Sequence, residues 1–268
     1  ETGDRLGHRV LAARHVGELT GQPVSAEGIE LVSRGSWALA QLEAWRPAIE
    51  SAVEAQSAQA GASLGQLGDE ESGAMPPIFG QLAATLGPMM LGLQFGSAAG
   101  HLAERALGSY ALPLPWPAKA DLLIVGANVA AFAEDWSLPL DEARLFTLAH
   151  ELAGRTVLSS PGVAARLVEL LQAAMADALA AQGSLLEQLG SSGDPEMLAR
   201  LMGDPEALFD QLATPEGLES AARLTAATTA LAAYVDAIAA EVASRLTGSH
   251  ALLVEAWRRH RVTDAKGE

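Results

Sequence analysis

Cysteine is absent from this chain of 268 residues. Its absence excludes disulfide bonds, a thiolate nucleophile and thiolate metal ligands. A chain without disulfides fits a reducing compartment. Residues 1–14 mix charges throughout and contain no apolar core of signal-peptide length. We therefore expect a cytoplasmic protein.

Positive charge is also scarce. Lys and Arg contribute 17 residues against 33 Asp and Glu, which gives a formal net charge of -16. Nucleic acids and anionic membrane surfaces attract basic patches, so this balance makes both of them poor partners. The chain also has no Walker loop, Rossmann glycine fingerprint or EF-hand loop, and a nucleotide or calcium function therefore has no support in the sequence.

Aromatic residues make up only 4% of the chain, and runs of strand-forming residues are few. Alanine and leucine recur instead every three or four residues, which is the spacing of an amphipathic helix. We expect a mainly α fold in a single domain over residues 1–268, with at most a short strand or small sheet near residues 121–126. Helices are expected over residues 4–20, 36 to beyond 53, 128–136, 141–158, 163–189, 215–246 and 251–261.

Two stretches interrupt this pattern. Residues 56–77 are rich in Gly, Ser, Gln and acidic residues, which favours a mobile loop. Residues 75–103 carry no charge and are long enough to cross a bilayer, but their prolines, glutamines and weakly apolar Ala and Gly favour a buried soluble helix over 86–107. We expect no membrane span, and keep a protein anchored in a membrane through residues 80–103 as an alternative.

One of the six histidines stands in a suggestive context, because His150 is followed by Glu151 in a stretch expected to be helical. In the HExxH motif, two histidines one helical turn apart bind zinc, and the glutamate acts as general base on the metal-bound water. The second histidine of that motif is replaced here by Gly154. By itself the His-Glu pair carries little weight.

Other segments strengthen the motif. They are G-L-Q-F-G at residues 92–96, L-G-S-Y-A-L-P-L-P at 107–115, N-V-A-A-F and W-S-L-P within 128–139, L-V-S-R-G-S-W at 31–37 and T-P-E at 214–216. In order and spacing they resemble the zincin-like metallopeptidase type 2 family, which is largely actinobacterial and whose members are often labelled hydrolases. The resemblance covers about residues 10–260 and implies a zincin-like helical fold.

The resemblance also implies which metal ligands this chain lacks. The family carries HExxH in its zinc helix and E-G-H in a long helix near the C-terminus, and the second motif aligns with residues 232–234, which are Ala, Ala and Tyr. Only His150 keeps a zinc-binding side chain, since Gly154 and the alanines have no donor and Tyr234 is a poor one. A catalytic zinc needs three protein ligands and an open position. We therefore expect no zinc and no other cofactor, and a vestigial general base at Glu151.

Two functions follow from these observations. We expect a catalytically inactive zincin-like homologue, a pseudoenzyme that binds or scaffolds an unknown protein or small-molecule partner. The alternative is an active metal-dependent hydrolase or peptidase with a rebuilt site, in which His150 and Glu151 work with His101 and an acid such as Glu104 or Asp236. Asp236 is turned by about 200° from the lost ligand position two residues before it. The sequence therefore leaves open whether the chain is an enzyme.

Three further expectations concern single positions. Gly154 costs its helix about 1 kcal/mol relative to Ala, which marks it as tolerated rather than helpful. If the scaffold is intact, histidines at both 154 and 234 would restore zinc binding. The basic end of the chain, residues 257–261, is expected to be solvated.

Overall fold

The computed structural model describes residues 2–66, 92–93, 95–114, 116–117, 120–192 and 214–260. These residues form eight helices and two strands, in the order α1 (Thr2–Thr20), β1 (Ile29–Val32), α2 (Arg34–Gln66), α3 (95–103), β2 (Leu122–Val125), α4 (Gly126–Asp135), α5 (Leu140–Leu158), α6 (Pro161–Ser192), α7 (Pro215–Leu246) and α8 (His250–Arg259). The mainly α fold is confirmed, and β2 is the short strand expected near residues 121–126.

Contacts between Cα atoms divide the chain into two compact units. The first comprises Glu1–Ala44, Gln81–Ala164 and Thr228–Glu268, and the second comprises Trp45–Gly80 and Ala165–Ala227. All residues of the site described below belong to the first unit. The single domain expected over residues 1–268 stays a prediction.

The two strands form a parallel pair with Ile29 opposite Leu122 and Val32 opposite Val125. Every residue of β2 is buried, which explains why its sequence is apolar throughout rather than alternating. Leu123 and Val125 belong to a buried cluster with Trp37, Ala103 and Ala106. This cluster packs the start of α2 and the end of α3 against the small sheet.

The segment 107–110 lies along the other edge of β2 and runs antiparallel to it. Backbone hydrogen bonds join the amide of Ser109 to the carbonyl of Leu123 and the amide of Val125 to the carbonyl of Leu107. The buried Trp37 indole donates to the carbonyl of Gly108, at 2.8 Å, and so helps to hold the segment in place. Segment 107–110 is therefore held by β2 and by Trp37 of α2, independently of its contact with α5.

Helix α5 packs against α1 and α4 and is buried along most of its length. In its first turn, Glu142 accepts hydrogen bonds from the backbone amides of Gly248, at 3.2 Å, and Ser249, at 2.9 Å. These amides directly precede α8, where a carboxylate satisfies unpaired N–H groups and complements the helix dipole. Glu142 thus ties the start of α8 to the start of α5.

The loop expected over residues 56–77 is partly wrong, because α2 continues to Gln66. Residues 54–66 are mostly Ala, Gln, Ser and Glu, and the good helix formers among them outweigh the two glycines at 61 and 65. Residues 67–77 lie outside the described residues. The expected helix over 86–107 also lies outside them before residue 92, and α3 ends at residue 103 rather than 107, because the backbone of 107–109 pairs with β2.

Among the described helices, only α7 is long and apolar enough to cross a membrane. This test rests on length and composition alone, and a core helix of a soluble protein also passes it. The stretch first considered as a membrane anchor, residues 80–103, lies outside the described residues over its first part.

Asn128 joins α4 to the end of α3 from a buried position. Its side-chain amide donates to the carbonyls of Ala103, at 2.9 Å, and Ala106, at 2.7 Å, and its oxygen accepts from the guanidinium of Arg34, at 2.6 Å. The hydrogen-bonding capacity of the side chain is thus largely used in closing the irregular chain that leads into segment 107–110.

We expect Asn128→Ala to lower the free energy of unfolding by about 2–3 kcal/mol, because two buried carbonyls lose their donor. Chemical denaturation measures this difference. The control is Glu134→Ala on the exposed side of the same helix, with an expected effect within about 0.5 kcal/mol. Equal losses in the two variants would contradict the assigned role of Asn128.

Candidate functional site

His150 lies in the middle of α5, almost completely buried, between two carboxylates. Its Nε2 is 3.2 Å from Oδ1 of Asp236 on α7. Its Nδ1 is 3.6 Å from Oε1 of Glu151, which is too long for a hydrogen bond, and neither of these atoms has a hydrogen-bond partner among the described residues. The imidazole is therefore positioned by Asp236 and attracted by Glu151.

Trp257 on α8 completes the arrangement. Its indole donates to Asp236 Oδ1, at 2.8 Å, and its ring centroid is 4.3 Å from that of His150. The expectation of a solvated chain end is therefore wrong for Trp257, and also for His260, whose Nε2 is 2.9 Å from the carbonyl of Arg105. The reason is the helical spacing of α8, which places Trp257 next to buried Ala256 and one turn from buried Leu253.

Glu151 is fully buried and faces segment 107–110. Its Oε2 accepts a hydrogen bond from the backbone amide of Tyr110, at 2.9 Å. A Cβ atom at Gly108 would stand 2.3 Å from the Glu151 carboxyl carbon, so the carboxylate fits only because residue 108 is glycine. The vestigial base of the sequence prediction is thus used as a buried acceptor for the backbone.

Gly154 meets the aromatic ring of Tyr110. A Cβ atom at position 154 would lie 2.7 Å from Cγ and 2.8 Å from Cβ of this tyrosine, closer than real contacts allow. The interpretation of Gly154 as tolerated rather than helpful is therefore wrong, because the ring of Tyr110 needs the space that any side chain at position 154 would fill. A glycine inside an otherwise regular helix was the signal in the sequence for this close approach.

A cavity of about 290 Å³ opens beside this cluster. Its walls are formed by segment 107–110 with the three residues that follow it, by α5, α7 and α8, and by the residue after α8. The lining residues are Leu107, Tyr110, Ala111, Leu112, Pro113, His150, Leu158, Ala232, Val235, Asp236, Trp257, Arg258 and His260. Glu151 is not among the lining residues, so a ligand in the cavity meets His150 and Asp236 but not the glutamate.

The candidates of the rebuilt site separate in the structure. Asp236 contacts His150, whereas His101 is exposed on α3 and Glu104 lines a different cavity. On α7, Ala232 and Asp236 line the same cavity because they are one turn apart, while Tyr234 is 52% exposed. The 200° rotation separates Tyr234 and Asp236 as expected, but their placement is the reverse of the expected one. Tyr234, at the position aligned with a metal ligand, faces solvent, and Asp236 is the residue that faces His150.

The residues present do not fit a zinc ion. Among the described residues, no group of three His, Asp or Glu side chains has the arrangement of a metal site. The ring of Tyr110 occupies the space beside Gly154, Ala232 has no donor, and Tyr234 is exposed. For the same reasons, histidines at 154 and 234 would not rebuild the site, because the first would collide with Tyr110 and the second would face solvent.

The electrostatics of the cluster favour a charged imidazole. Burial by itself lowers the pKa of His150, but the hydrogen bond and charge of Asp236 and the nearby charge of Glu151 outweigh it and raise this pKa to about 9. Burial raises the pKa of the Tyr110 hydroxyl to about 12, with a smaller opposing contribution from Ser159, 3.4 Å away. At neutral pH the site therefore contains an imidazolium between two carboxylates, next to an un-ionised tyrosine.

We expect Gly154→Ala to destabilise the protein by about 1–3 kcal/mol, because overpacking against Tyr110 exceeds the gain in helix propensity. The matched control is Gly162→Ala in α6, where a Cβ would meet nothing within 4 Å. This control is expected to leave stability unchanged or raise it by less than about 1 kcal/mol. A stabilising Gly154→Ala would contradict the contact with Tyr110.

The raised pKa of His150 predicts how stability depends on pH. The folded protein binds this proton more tightly than the unfolded chain, whose histidine has a pKa of about 6.5. The stabilisation is therefore complete below pH 6.5 and is lost as the pH rises through about 9, with a total loss of up to about 3 kcal/mol. Urea unfolding between pH 6 and pH 10 measures it, since Tyr110 contributes only above about pH 10.

The control for this titration is Asp236→Asn, which removes one carboxylate charge and keeps the shape of the side chain. The variant is expected to show a lower His150 pKa in NMR titrations of labelled histidine, and a shallower loss of stability. An unchanged His150 pKa in this variant would show that Asp236 does not stabilise the protonated form of His150.

Comparison with known proteins agrees with the resemblance seen in the sequence. A family model described as a zincin-like metallopeptidase matches residues 7–268. No curated protein and no solved structure matches the chain. The family match includes α5 with His150, segment 107–110 and the long helix α7, which together build the site. The chain therefore belongs to the zincin-like metallopeptidase family.

Proposed function

We propose that this chain is a family member that does not act as a zinc peptidase and works instead by binding a ligand or partner at the cavity beside His150. The observation that carries the proposal is the ring of Tyr110 in the space beside Gly154. A zinc ligand at this position would need that space, and the family's second histidine is replaced by the one residue type that leaves it free.

Three other contacts support the proposal. His150 Nε2 is occupied by Asp236, which is itself positioned by the indole of Trp257. Glu151 is fully buried, and its Oε2 is used by the backbone amide of Tyr110. A general base must reach the proton that it removes, directly or through one water molecule. Since Glu151 does not line the cavity, it is poorly placed for that role.

The first experiment measures zinc. We expect protein purified without chelator to contain no stoichiometric zinc, and the metal-free protein to bind zinc more weakly than about 100 μM in calorimetric titrations. Three ligand positions of the family lack a suitable donor here, so only isolated side chains remain for the metal. Stoichiometric zinc in the purified protein would overturn the proposal.

A pair of variants tests the reason for weak binding. Tyr110→Ala with Gly154→His and Ala232→Glu clears the space beside α5 and places two new donors on the cavity side, so we expect zinc binding at about micromolar concentration or tighter. The matched variant keeps Tyr110 and carries only Gly154→His and Ala232→Glu, and it is expected not to bind. Circular dichroism checks that both fold. Equal affinities would show that Tyr110 does not block the site.

The alternative is a hydrolase that uses His150 and Asp236 as an acid-base pair, an arrangement favoured by the 3.2 Å contact between them. Among the described residues that line the cavity there is no serine, threonine or lysine that could serve as nucleophile. We expect no hydrolysis of peptide or ester substrates that depends on His150, so the wild type and His150→Ala should show the same background rate. Turnover that is lost in both His150→Ala and Asp236→Asn would favour the hydrolase.

A further inference from the structure

Asp236 presents one unused carboxylate oxygen to the cavity. Its Oδ1 accepts from Trp257 Nε1, at 2.8 Å, and lies 3.2 Å from His150 Nε2. Its Oδ2 has no hydrogen-bond partner within the described part of the chain, although the side chain lines the cavity and is 41% exposed. The carboxylate is therefore held in one orientation with an acceptor available for a ligand.

The charge of the cluster favours a cation at that oxygen. Two carboxylates, Asp236 and Glu151, surround one imidazole, so the cluster is negative whether His150 is neutral or protonated. Because Glu151 is fully buried and outside the lining, the excess negative charge reaches the cavity at Asp236. Arg258 also lines the cavity, but its side chain is exposed, where solvent screens its charge.

The walls of the cavity suit a small molecule with an apolar body. Trp257 and Tyr110 contribute aromatic rings, and Leu112, Pro113 and Val235 contribute aliphatic surface. Aromatic faces attract cations, and apolar walls with a single fixed polar group are typical of small-molecule sites. A volume of about 290 Å³ limits the ligand to a small compound.

We propose that the cavity binds a small primary amine in its ammonium form, which donates a hydrogen bond to Asp236 Oδ2 and packs its apolar part against Trp257. This assignment rests on the proposed binding function, because it names the ligand class of the same cavity.

The experiment compares three probes of similar shape and different charge on the full chain in the presence of chelator. Benzylammonium, benzyl alcohol and benzoate are titrated at pH 7 while the indole N–H resonance of Trp257, assigned with Trp257→Phe, reports binding. We expect benzylammonium to bind at least about tenfold more tightly than either other probe, as a charge-assisted hydrogen bond implies. Tighter binding of benzoate, or no shift with any probe, would overturn the proposal.

Two variants test the contact itself. Asp236→Asn keeps the oxygen that Trp257 requires and replaces Oδ2 with an N–H donor, so benzylammonium affinity is expected to fall about tenfold or more. Ala232→Leu fills the cavity without changing its charge and is expected to abolish binding. The control Asp141→Asn removes an exposed acid at the start of α5 and is expected to preserve affinity. Equal affinity in wild type and Asp236→Asn would contradict the contact.

Zinc content separates the two proposals. Protein without zinc that also fails to bind benzylammonium would leave the proposed loss of the zinc site standing and remove the amine assignment. Protein with stoichiometric zinc would remove the proposed function, whatever the amine titration in chelator shows.

Discussion

The close approach of segment 107–110 to helix α5 is the contact on which the rest of the site depends. It requires glycine on both sides, because Glu151 fills the space beside Gly108 and Tyr110 fills the space beside Gly154. The backbone amide of Tyr110 then donates to the Glu151 carboxylate. Without this hydrogen bond, burial of the carboxylate would cost much more free energy. The same backbone is also paired with β2, so the contact cannot relax independently of the sheet.

This approach changes what the remains of the HExxH motif can do. Glu151 accepts a hydrogen bond in the protein interior, and the ring of Tyr110 occupies the space beside Gly154. His150 keeps an orientation toward the cavity only because α7 supplies Asp236 and α8 supplies Trp257. A metal ion would bring positive charge to this place. In this chain the protonated imidazole of His150, between two carboxylates, brings the positive charge instead. The proton offsets only one of the two negative charges, so the cluster keeps a net negative charge.

Sequence reasoning failed where a residue acts through space rather than along its own helix. Trp257 was assigned to a solvated end because of the basic residues after it, yet the apolar face of α8 carries it to Asp236. The basic residues lie on the exposed side of α8. Its other side, with Leu253 and Ala256, is buried. Similarly, the composition of residues 56–66 indicated a loop, but alanine and glutamine in sequence sustain α2 to Gln66.

The sequence by itself determined the helical class, the short apolar strand β2, the family and the absence of donors at positions 154 and 232. These properties follow from periodicity, side-chain chemistry and motif order, all of which are local or linear in the chain. Only the tertiary structure decided that the ring of Tyr110 fills the space beside Gly154, that Asp236 faces His150, and that Glu151 does not line the cavity. Those outcomes depend on contacts between residues 41 to 86 positions apart, and no helical or strand period encodes them.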